Sequence, residues 1–277
     1  KIFILLEKEG AYVEGIKWLE EGAACDVYFN KCSVEQAYER LGQTPYKMDL
    51  DYVIQPNANR KKKLLISDMD STIIEQECID ELADVLGIKK QVSAITERAM
   101  NGQLDFKDAL RERVALLKGL KENTLENVYA QHITLTNGAK TLVQTMRKFG
   151  AQCVLVSGGF TFFTERVSQA VGFHAHHANE LGFENGVLTG NVVEPILDKE
   201  NKVEALHQHA NNLGITVDDV VAVGDGANDL PMLQEAGLGI AYHAKEFVQE
   251  QVPAKLNFTD LRSVLFVQGY MADEIIN

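Results

Sequence analysis

Two pairs of acidic residues each come directly after a short apolar run. Asp68 and Asp70 are two residues apart, and Asp225 and Asp229 are four apart in the stretch Gly-Asp-Gly-Ala-Asn-Asp. Side chains two apart in an extended chain project to the same side, so the first pair is delivered to one spot. The second pair offers hard oxygen ligands of the kind that Mg²⁺ shares with waters and a substrate phosphate. Together the pairs predict phosphate chemistry at a magnesium site.

The acidic residues do not fit two other kinds of binding site. A calcium-binding EF-hand loop needs Gly at its sixth position and Glu at its twelfth, where this chain has Ile73 and Ile79. A dinucleotide fingerprint would need Gly at position 229, which is Asp. Either member of the first pair could, alone, be a capping or turn residue. A surface acidic turn does not explain why both pairs end strands of one predicted sheet.

Donors and a cation for a phosphate group are offered by two further features. Ser157-Gly158-Gly159 is predicted to open a helix of about 160–171, whose free N–H groups and serine hydroxyl can hold phosphate oxygens. Lys202 is predicted to begin an amphipathic helix. Alone, the first is more often an ordinary helix cap and the second a solvated lysine. They become candidates because the acidic clusters require positive charge nearby.

The elements that carry these residues are short apolar strands alternating with helices. Runs at 64–67, 152–156 and 220–223 each end in one of the polar clusters. Alternating strands and helices predict an α/β protein with a parallel sheet, whose ligand site lies at the carboxyl ends of the strands. Residues 77–129 show helical periodicity and predict a helical cap over the site. Asn185-Gly186 between alternating residues predicts a β-hairpin.

The chain divides at a polar and basic stretch near residue 60. Residues 1–57 are predicted to form a small α/β module, 58–63 a solvated linker, and 64–277 the catalytic domain. Within the module we expect strands at 2–6, 27–29 and 48–54 and helices at 13–21 and 34–41. That order would suit a ferredoxin-like or amino-acid-sensing regulatory module. The basic run could instead be a nuclear-targeting or phosphate-binding patch.

Composition excludes some classes of protein. The 277 residues carry 27 basic and 40 acidic side chains, a formal charge of −13, which argues against nucleic acid or an anionic membrane as partner. No apolar run approaches the ~18 residues of a membrane helix. Four cysteines without C-x-x-C spacing, and no visible signal peptide, predict a cytoplasmic protein. The histidines at 174, 176, 177, 207 and 209 lack the spacing of a zinc site and are interpreted as surface or hairpin residues.

Taken together and in this order, the motifs resemble the haloacid dehalogenase superfamily of phosphatases. They are Asp68-Met69-Asp70-Ser71-Thr72, Ser157-Gly158-Gly159, Lys202 and Gly224-Asp225-Gly226-Ala227-Asn228-Asp229. The resemblance covers about residues 63–270 and implies a Rossmannoid parallel-sheet core with a helical cap. Residues 1–57 match no family securely.

The resemblance implies a role for each motif residue. Asp68 would be the nucleophile that forms an aspartyl-phosphate, and Asp70 the general acid and base. Mg²⁺ would be held by Asp68, the backbone carbonyl of Asp70, and Asp225. The phosphoryl group would be bound by Ser157, the Gly158 amide and Lys202, with Asn228 also at the phosphate. Asp229, together with Asn228, would orient Lys202 and the metal waters.

The cap stretch 99–114 resembles that of the phosphoserine phosphatases within this superfamily. The resemblance implies that Arg113 grips a substrate α-carboxylate, that Glu77 accepts from its ammonium group, and that Met100 and Phe106 cover the site. The implied reaction is hydrolysis of O-phospho-L-serine, the last step of serine biosynthesis. Two alternatives stay open: a sibling phosphatase for another small metabolite, and a metabolite-binding regulator with a vestigial core. Without the family, these cap residues would be ordinary packing and surface residues.

Overall fold

The structure, a computed structural model, describes residue 7 and residues 10–42, 49–100 and 103–276. Its main feature is a seven-stranded sheet formed by β3 (Leu64–Ser67), β4 (Gln152–Phe160), β5 (Ala175–Glu184), β6 (Val187–Val193), β7 (Val220–Gly224), β8 (Leu238–Tyr242) and β9 (Ala254–Leu256). Across the sheet the strands lie in the order β6-β5-β4-β3-β7-β8-β9. All neighbours pair in parallel except β5 and β6, which form the antiparallel hairpin predicted at Asn185-Gly186. The predicted α/β class, the parallel sheet and the three key strands are confirmed.

Helices cover both faces of this sheet, as its buried strands require. One face packs against α6 (Ala139–Lys148) and α7 (Thr161–Val171), and the other against α8 (Lys199–Leu213) and α9 (Leu230–Glu235). Two shorter helices, α10 (Glu246–Gln251) and α11 (Ser263–Val267), complete the domain. β3 and β7 are completely buried, in keeping with their continuous apolar sequences. Central strands with this burial give the polar residues at their ends a rigid base.

In the sequence, β3 is followed by four helices that form the cap. It consists of α2 (Cys78–Val85), α3 (Lys89–Met100), α4 (Phe106–Ala115) and α5 (Glu122–His132). The apolar faces of α2, α4 and α5 join the same hydrophobic core as one face of the sheet. The cap predicted at 77–129 is thus helical, as expected from its periodicity. Among the helices of the described ranges, none combines the length and hydrophobicity that a membrane crossing needs.

The N-terminal unit differs from the sequence-based prediction. Its described part is an antiparallel hairpin, β1 (Tyr12–Glu20) and β2 (Ala24–Asn30), followed by α1 (Val34–Gly42). The helix predicted at 13–21 is wrong, because a turn at Gly22 brings β2 back along these residues and hydrogen-bonds them as a strand. The strand predicted at 48–54 is also wrong, since residues 51–56 have no regular structure. The predicted strand at 2–6 lies outside the described residues.

The basic stretch after this unit is not a solvated linker throughout. Arg60 makes a two-pronged contact with Asp26 of β2, at 2.6 and 2.9 Å, and also donates to the carbonyl of Val267. Lys62 is buried, and its ammonium donates to the carbonyls of Asn59 and Asp218. Of the four basic side chains at 60–63, those of Lys61 and Lys63 are exposed, and Arg60 is the one that contacts the N-terminal unit in the described residues.

Asp51 strengthens this attachment. Its carboxylate accepts from the backbone N–H groups of Asn257, Phe258 and Thr259, and from the Thr259 hydroxyl at 2.7 Å. The irregular segment 51–56 is therefore held against the chain that leaves β9. A carboxylate that accepts several N–H donors fixes a loop without regular structure.

Candidate active site

The predicted site residues converge at the carboxyl ends of neighbouring strands. Asp68 follows β3, Ser157 lies in the last part of β4, and Asp225 follows β7. The order β4-β3-β7 places these three strand ends side by side, with Asp68 in the middle. The Asp68 N–H donates to the Val223 carbonyl at 2.9 Å, which fixes the backbone at this point. The topology alone therefore brings distant motifs together.

Lys202 joins the two acidic motifs. Its Nζ lies 2.6 Å from Asp68 Oδ1 and 2.6 Å from Asp229 Oδ1. It projects from the first helical turn of α8, which begins with a capping box between Asp198 and Asn201. All three members of this ion triad are buried. Burial opposes the charged form, but Asp229 and Asp68 outweigh it and raise the pKa of Lys202, so the ammonium stays charged.

Asp229 uses its second carboxylate oxygen to hold the loop after β7. Oδ2 accepts from the N–H groups of Asp225 at 3.2 Å and Gly226 at 3.0 Å. A Cβ at Gly224 would lie only 2.5 Å from the Asp229 carboxyl carbon, so glycine is required there. Asp229 thus contacts Lys202 with one oxygen and the Asp225 loop with the other, and its role in orienting Lys202 and the metal waters stays a prediction.

Asp70 is held by two donors. Its Oδ1 accepts from the N–H of Cys78, the first residue of α2, at 2.8 Å, and its Oδ2 accepts from Ser157 Oγ at 3.0 Å. Burial raises the pKa of Asp70, and these hydrogen bonds only partly offset the effect. A carboxyl group with a raised pKa suits a residue that must give and take a proton.

The Ser157-Gly158-Gly159 segment is placed differently from the prediction. The strand continues to Phe160 and the helix begins at Thr161, so these residues end β4 and do not cap a helix. The pairing register of β4 with β5 shifts between Val156 and Phe160. The segment between them is therefore outside the regular ladder and can bulge toward Asp70. A Cβ at Gly159 would lie 2.8 Å from Asp70 Oδ2.

Three carboxylates form a cluster that could hold a metal ion. One oxygen each from Asp68, Asp225 and Asp229 lies within 4.8 Å of the others, and all three residues are buried. Thr72 Oγ also donates to Asp225 Oδ1 at 3.4 Å. Sequence reasoning missed Thr72, although its position in the first motif was a usable signal.

The charges at this cluster fit a divalent cation. With Asp70, four buried carboxylates lie at this site, where the buried lysine in the described residues is Lys202. Burial and the Asp229 charge raise the pKa of Asp68 well above its usual range, and burial with the charges of Asp229 and Glu77 raises that of Asp225 to about 7. Such shifts are the electrostatic signature of an excess of buried negative charge. Hard carboxylate oxygens are the ligands that Mg²⁺ prefers.

Electrostatic interactions connect Arg113 with Glu77, and Glu77 with Asp70 and Asp225 of the cluster. Arg113 is half-buried on α4 with its Nε donating to the Ala109 carbonyl at 3.2 Å. Burial lowers the pKa of Arg113, and the charges of Asp80 and Glu77 oppose that shift. Glu77 accepts from Ser71 Oγ at 2.7 Å. The guanidinium therefore has two acidic neighbours in the cap but no two-pronged partner within the described residues.

The remaining predicted binding residues are Phe106, Asn228 and Met100. The Phe106 ring lies 3.4 Å from the point that a Cβ on Gly158 would occupy, so it covers the serine-glycine segment. Asn228 is half-buried, with its Oδ1 next to Gly226, and its assignment to phosphate stays a prediction. The side chain of Met100 lies outside what the structure describes, so its covering role also stays a prediction.

Asn179 is a residue that sequence reasoning missed. It is buried on β5; its Nδ2 donates to the Gly158 carbonyl at 2.9 Å, and its Oδ1 accepts from the Leu197 N–H at 2.7 Å. It thereby ties the serine-glycine segment to the chain that enters α8. A polar residue within a strand was the only local signal, and its partners are distant in sequence.

The histidines do not form a metal cluster in the described part of the chain, where the only qualifying cluster is the acidic one. The interpretation as surface or hairpin residues is wrong for His209, which is buried on α8. Its Nε2 lies 2.9 Å from His177 Nε2 on β5, so a helix and a strand meet at this pair. Helical position 209 packs onto the sheet, which the local sequence did not show.

Comparisons with known proteins agree with this geometry. A family model described as haloacid dehalogenase-like hydrolase matches residues 65–234. A phosphoserine phosphatase from Archaeoglobus fulgidus is 46% identical over 232 residues, which cover 82% of this chain and 67% of that protein.

Two solved structures show the same architecture. A HAD family hydrolase from Salmonella enterica has a TM-score of 0.84 at 31% identity, covering 96% of this chain and 93% of that one. A phospho-aspartyl intermediate analogue of phosphoserine phosphatase has a TM-score of 0.69 at 39% identity, covering 74% of this chain and 98% of that one. The matched family segment spans more than half of the sequence and includes all three strand-end motifs and Lys202. The chain therefore belongs to the haloacid dehalogenase-like hydrolase family.

Proposed function

We propose that this chain hydrolyses O-phospho-L-serine to L-serine and phosphate through an aspartyl-phosphate on Asp68. The observation that carries the proposal is the buried Asp68, bound by Lys202 and flanked by Asp70, under a cap that bears Arg113 and Glu77. The relatives named phosphoserine phosphatase support the choice of substrate.

Asp68 attacks phosphorus in the first half of the reaction. A bond forms between its carboxylate oxygen and phosphorus while the bond from phosphorus to the serine oxygen breaks. Asp70 gives its proton to the departing serine oxygen, which the raised pKa of this carboxyl group makes feasible. In the second half, Asp70 takes a proton from the water that attacks the aspartyl-phosphate. Free Asp68 and inorganic phosphate result.

Positive charge and hydrogen-bond donors must balance the phosphoryl group throughout. Lys202 supplies an ammonium beside Asp68, and Ser157 supplies a hydroxyl between Asp70 and Gly159. Mg²⁺ held by Asp68, the Asp70 carbonyl and Asp225 would let an anionic nucleophile approach an anionic phosphate. Asp229 keeps Lys202 and the loop of Asp225 in place.

Substrate selection is assigned to the cap. The Arg113 guanidinium can bind a carboxylate through two parallel hydrogen bonds, and Glu77 can accept from an ammonium. Phe106 excludes water from the serine-glycine segment. A molecule that carries a carboxylate, an ammonium and a phosphate can contact Arg113, Glu77 and the phosphate-binding residues at the same time. Phosphoserine is such a molecule.

Phosphate release tests the proposal. With Mg²⁺ present, wild type and Arg113→Ala are compared on phosphoserine and on p-nitrophenyl phosphate, which lacks both amino-acid groups. We expect Arg113→Ala to lower kcat/KM for phosphoserine by roughly 10²-fold or more, since a charged contact is lost, and to change the other substrate much less. Equal losses on both would place Arg113 in cap folding or phosphate binding and would favour another small phosphorylated metabolite. No phosphate release by wild type from phosphoserine would refute the proposal.

A further inference from the structure

The two ends of cap helix α4 are attached to the core in different ways. Beyond its C-terminal end, the Gly119 N–H donates to the Leu188 carbonyl at 2.9 Å, and the Leu188 N–H donates to the Leu120 carbonyl at 2.8 Å. These backbone hydrogen bonds join the chain after α4 to β6. They are independent of side-chain charge, so this end is a fixed attachment.

The N-terminal end of α4 is held by side-chain charges. Lys107 Nζ lies 2.8 Å from Asp198 Oδ2, and Arg111 Nη2 lies 2.7 Å from Glu194 Oε1. Positions 107 and 111 are one helical turn apart and share a face, which they present to the segment 194–198 of the core. Both basic side chains are over 40% exposed, so solvent and salt reach these pairs.

This segment of the core leads directly to the catalytic lysine. Asp198 is the N-cap of α8, where its other oxygen accepts from the N–H groups of Glu200 and Asn201. Lys202 projects from the same helical turn. One carboxylate therefore contacts both the cap and the helix that places the ammonium beside Asp68.

The helix that carries these ion pairs also lies over part of the candidate site. Phe106, next to Lys107 in the chain, covers Gly158, so α4 in this position lies over the segment that would receive the phosphate. Arg113 is on the same helix. Movement of the N-terminal end of α4 away from this segment would uncover it, and the backbone hydrogen bonds near Gly119 would keep the cap joined to the core during that movement.

We propose that Lys107 and Arg111, paired with Asp198 and Glu194, form an ionic clasp that sets the balance between the closed and open cap. They are positioning residues that act through Phe106 and Arg113 and do not touch the substrate. The proposal rests on the phosphatase function proposed above. Exposed ion pairs are individually weak, which is what a clasp that opens in every turnover needs.

The test uses the double variant Lys107→Gln/Arg111→Gln with phosphoserine and Mg²⁺. We expect KM to rise roughly three- to tenfold while kcat stays within about twofold, because closing is weakened and the reacting groups are untouched. Raising the ionic strength from about 0.05 M to about 0.5 M should raise KM by a larger factor in wild type than in the double variant, which lacks the ion pairs of the clasp. The charge-reversal variant Arg111→Glu should raise KM further, and adding Glu194→Arg should recover most of the loss.

Arg98→Gln is the matched control. Arg98 pairs with Glu112 at 2.9 Å, with exposed fractions of 47% and 43%, but both residues belong to the cap. We expect its KM and salt response to equal those of wild type. A rise in KM equal to that of the double variant would attribute the effect to general cap stability and would overturn the clasp, as would an unchanged KM in the double variant.

Hydrogen exchange separates this proposal from the proposed function, because it needs no turnover. In the substrate-free protein, amides of 106–113 should exchange faster in the double variant than in wild type or Arg98→Gln, while those of 186–193 should not change. Unchanged exchange at 106–113 would refute the clasp even if phosphoserine is the substrate. Faster exchange, together with no phosphoserine hydrolysis by wild type, would uphold the clasp as a cap contact and refute the function.

Discussion

The ammonium of Lys202 lies 2.6 Å from Asp229, a residue whose other oxygen holds two backbone N–H groups of the loop after β7. In each hydrogen bond that the structure shows for this carboxylate, the carboxylate is the acceptor. An amide in its place would have to point an NH₂ group either at the ammonium or at the two N–H donors. Replacing one oxygen of Asp229 by the NH₂ group of an asparagine therefore disrupts at least one of these contacts.

Asp229→Asn should accordingly lose both stability and activity. Removing one partner of a buried ion pair costs about 3–5 kcal/mol, and kcat should fall by roughly 10²-fold or more as Lys202 loses its orientation. Chemical denaturation and phosphate release measure the two effects. Normal activity in a folded Asp229→Asn variant would show that Lys202 does not need this partner.

Asp68→Asn should abolish turnover while leaving the fold intact, because an amide is too poor a nucleophile. Asp70→Asn should keep the nucleophile but lower kcat by roughly 10²–10⁴-fold, the usual contribution of a general acid and base. Steady-state phosphate release and circular dichroism provide the readouts. Activity of Asp68→Asn within about tenfold of wild type would contradict the covalent mechanism.

Gly159→Ala should impair catalysis, because the added methyl group would lie 2.8 Å from Asp70 Oδ2 and 3.0 Å from Ser157 Oγ. We expect kcat to fall by at least tenfold, with a loss of stability of about 1–3 kcal/mol from overpacking. Gly15→Ala on β1 is the control, since its Cβ would meet nothing within 4 Å. Equal kinetics for the two variants would show that the Asp70 carboxylate can relocate at no cost.

Metal binding should stabilise the protein through the acidic cluster. Addition of Mg²⁺ should raise Tm, because a ligand that binds only the folded state stabilises it, and a chelator should abolish activity. Asp225→Ala should remove most of the Tm increase and sharply lower activity. Thermal unfolding with and without Mg²⁺ measures the increase in Tm. If Asp225→Ala showed the same increase as wild type, the ion would bind elsewhere.

Acid should destabilise the fold through the histidine pair of β5 and α8. Burial lowers the pKa of His177 and of His209, and the charge of His209 lowers that of His177 further. The unfolded chain, with a usual histidine pKa of about 6.5, therefore binds more protons than the folded one below that value. This contribution is fully present above about pH 6.5 and is lost as the pH falls toward the lowered values.

Denaturation at about pH 7.5 and pH 5.5 measures that effect. We expect the difference in unfolding free energy to shrink in His209→Gln, which removes one of the two buried rings. His207→Gln is the control variant on the same helix, because it removes an exposed histidine and leaves the His177–His209 pair intact. An unchanged difference in His209→Gln would mean that other groups cause the pH dependence.

The sequence predicted the parts of the structure that local patterns determine. The runs before Asp68, Ser157 and Asp225 are buried strands because they are continuously apolar, and parallel order then brings their ends together. The pattern at 13–21 misled because its apolar positions suit either a helix or a strand, and pairing with β2 decided for the strand.

Features that depend on distant partners could not be predicted in the same way. Asn179 and Lys107 have ordinary local sequences, and their roles come from contacts with Gly158, Leu197 and Asp198. The solvation of the linker was misjudged for the same reason, since Arg60 finds Asp26 only after the chain has folded. Residue type and spacing indicate chemistry, whereas side-chain pairing across elements follows from the three-dimensional packing.

The order of the strands in the sheet also affects the tendency of this protein to aggregate through its edge strands. Strand β6 lies at one border, where Lys121 bridges to Val187 and the Gly119–Leu120 backbone bonds to Leu188. Strand β9 lies at the other and is only three residues long, and Asp51 binds the N–H groups that follow it. Each border is thus partly covered by neighbouring chain, which limits strand addition, the usual starting point of β-aggregation. Asp51→Ala would release the N–H groups after β9 and leave that border less covered.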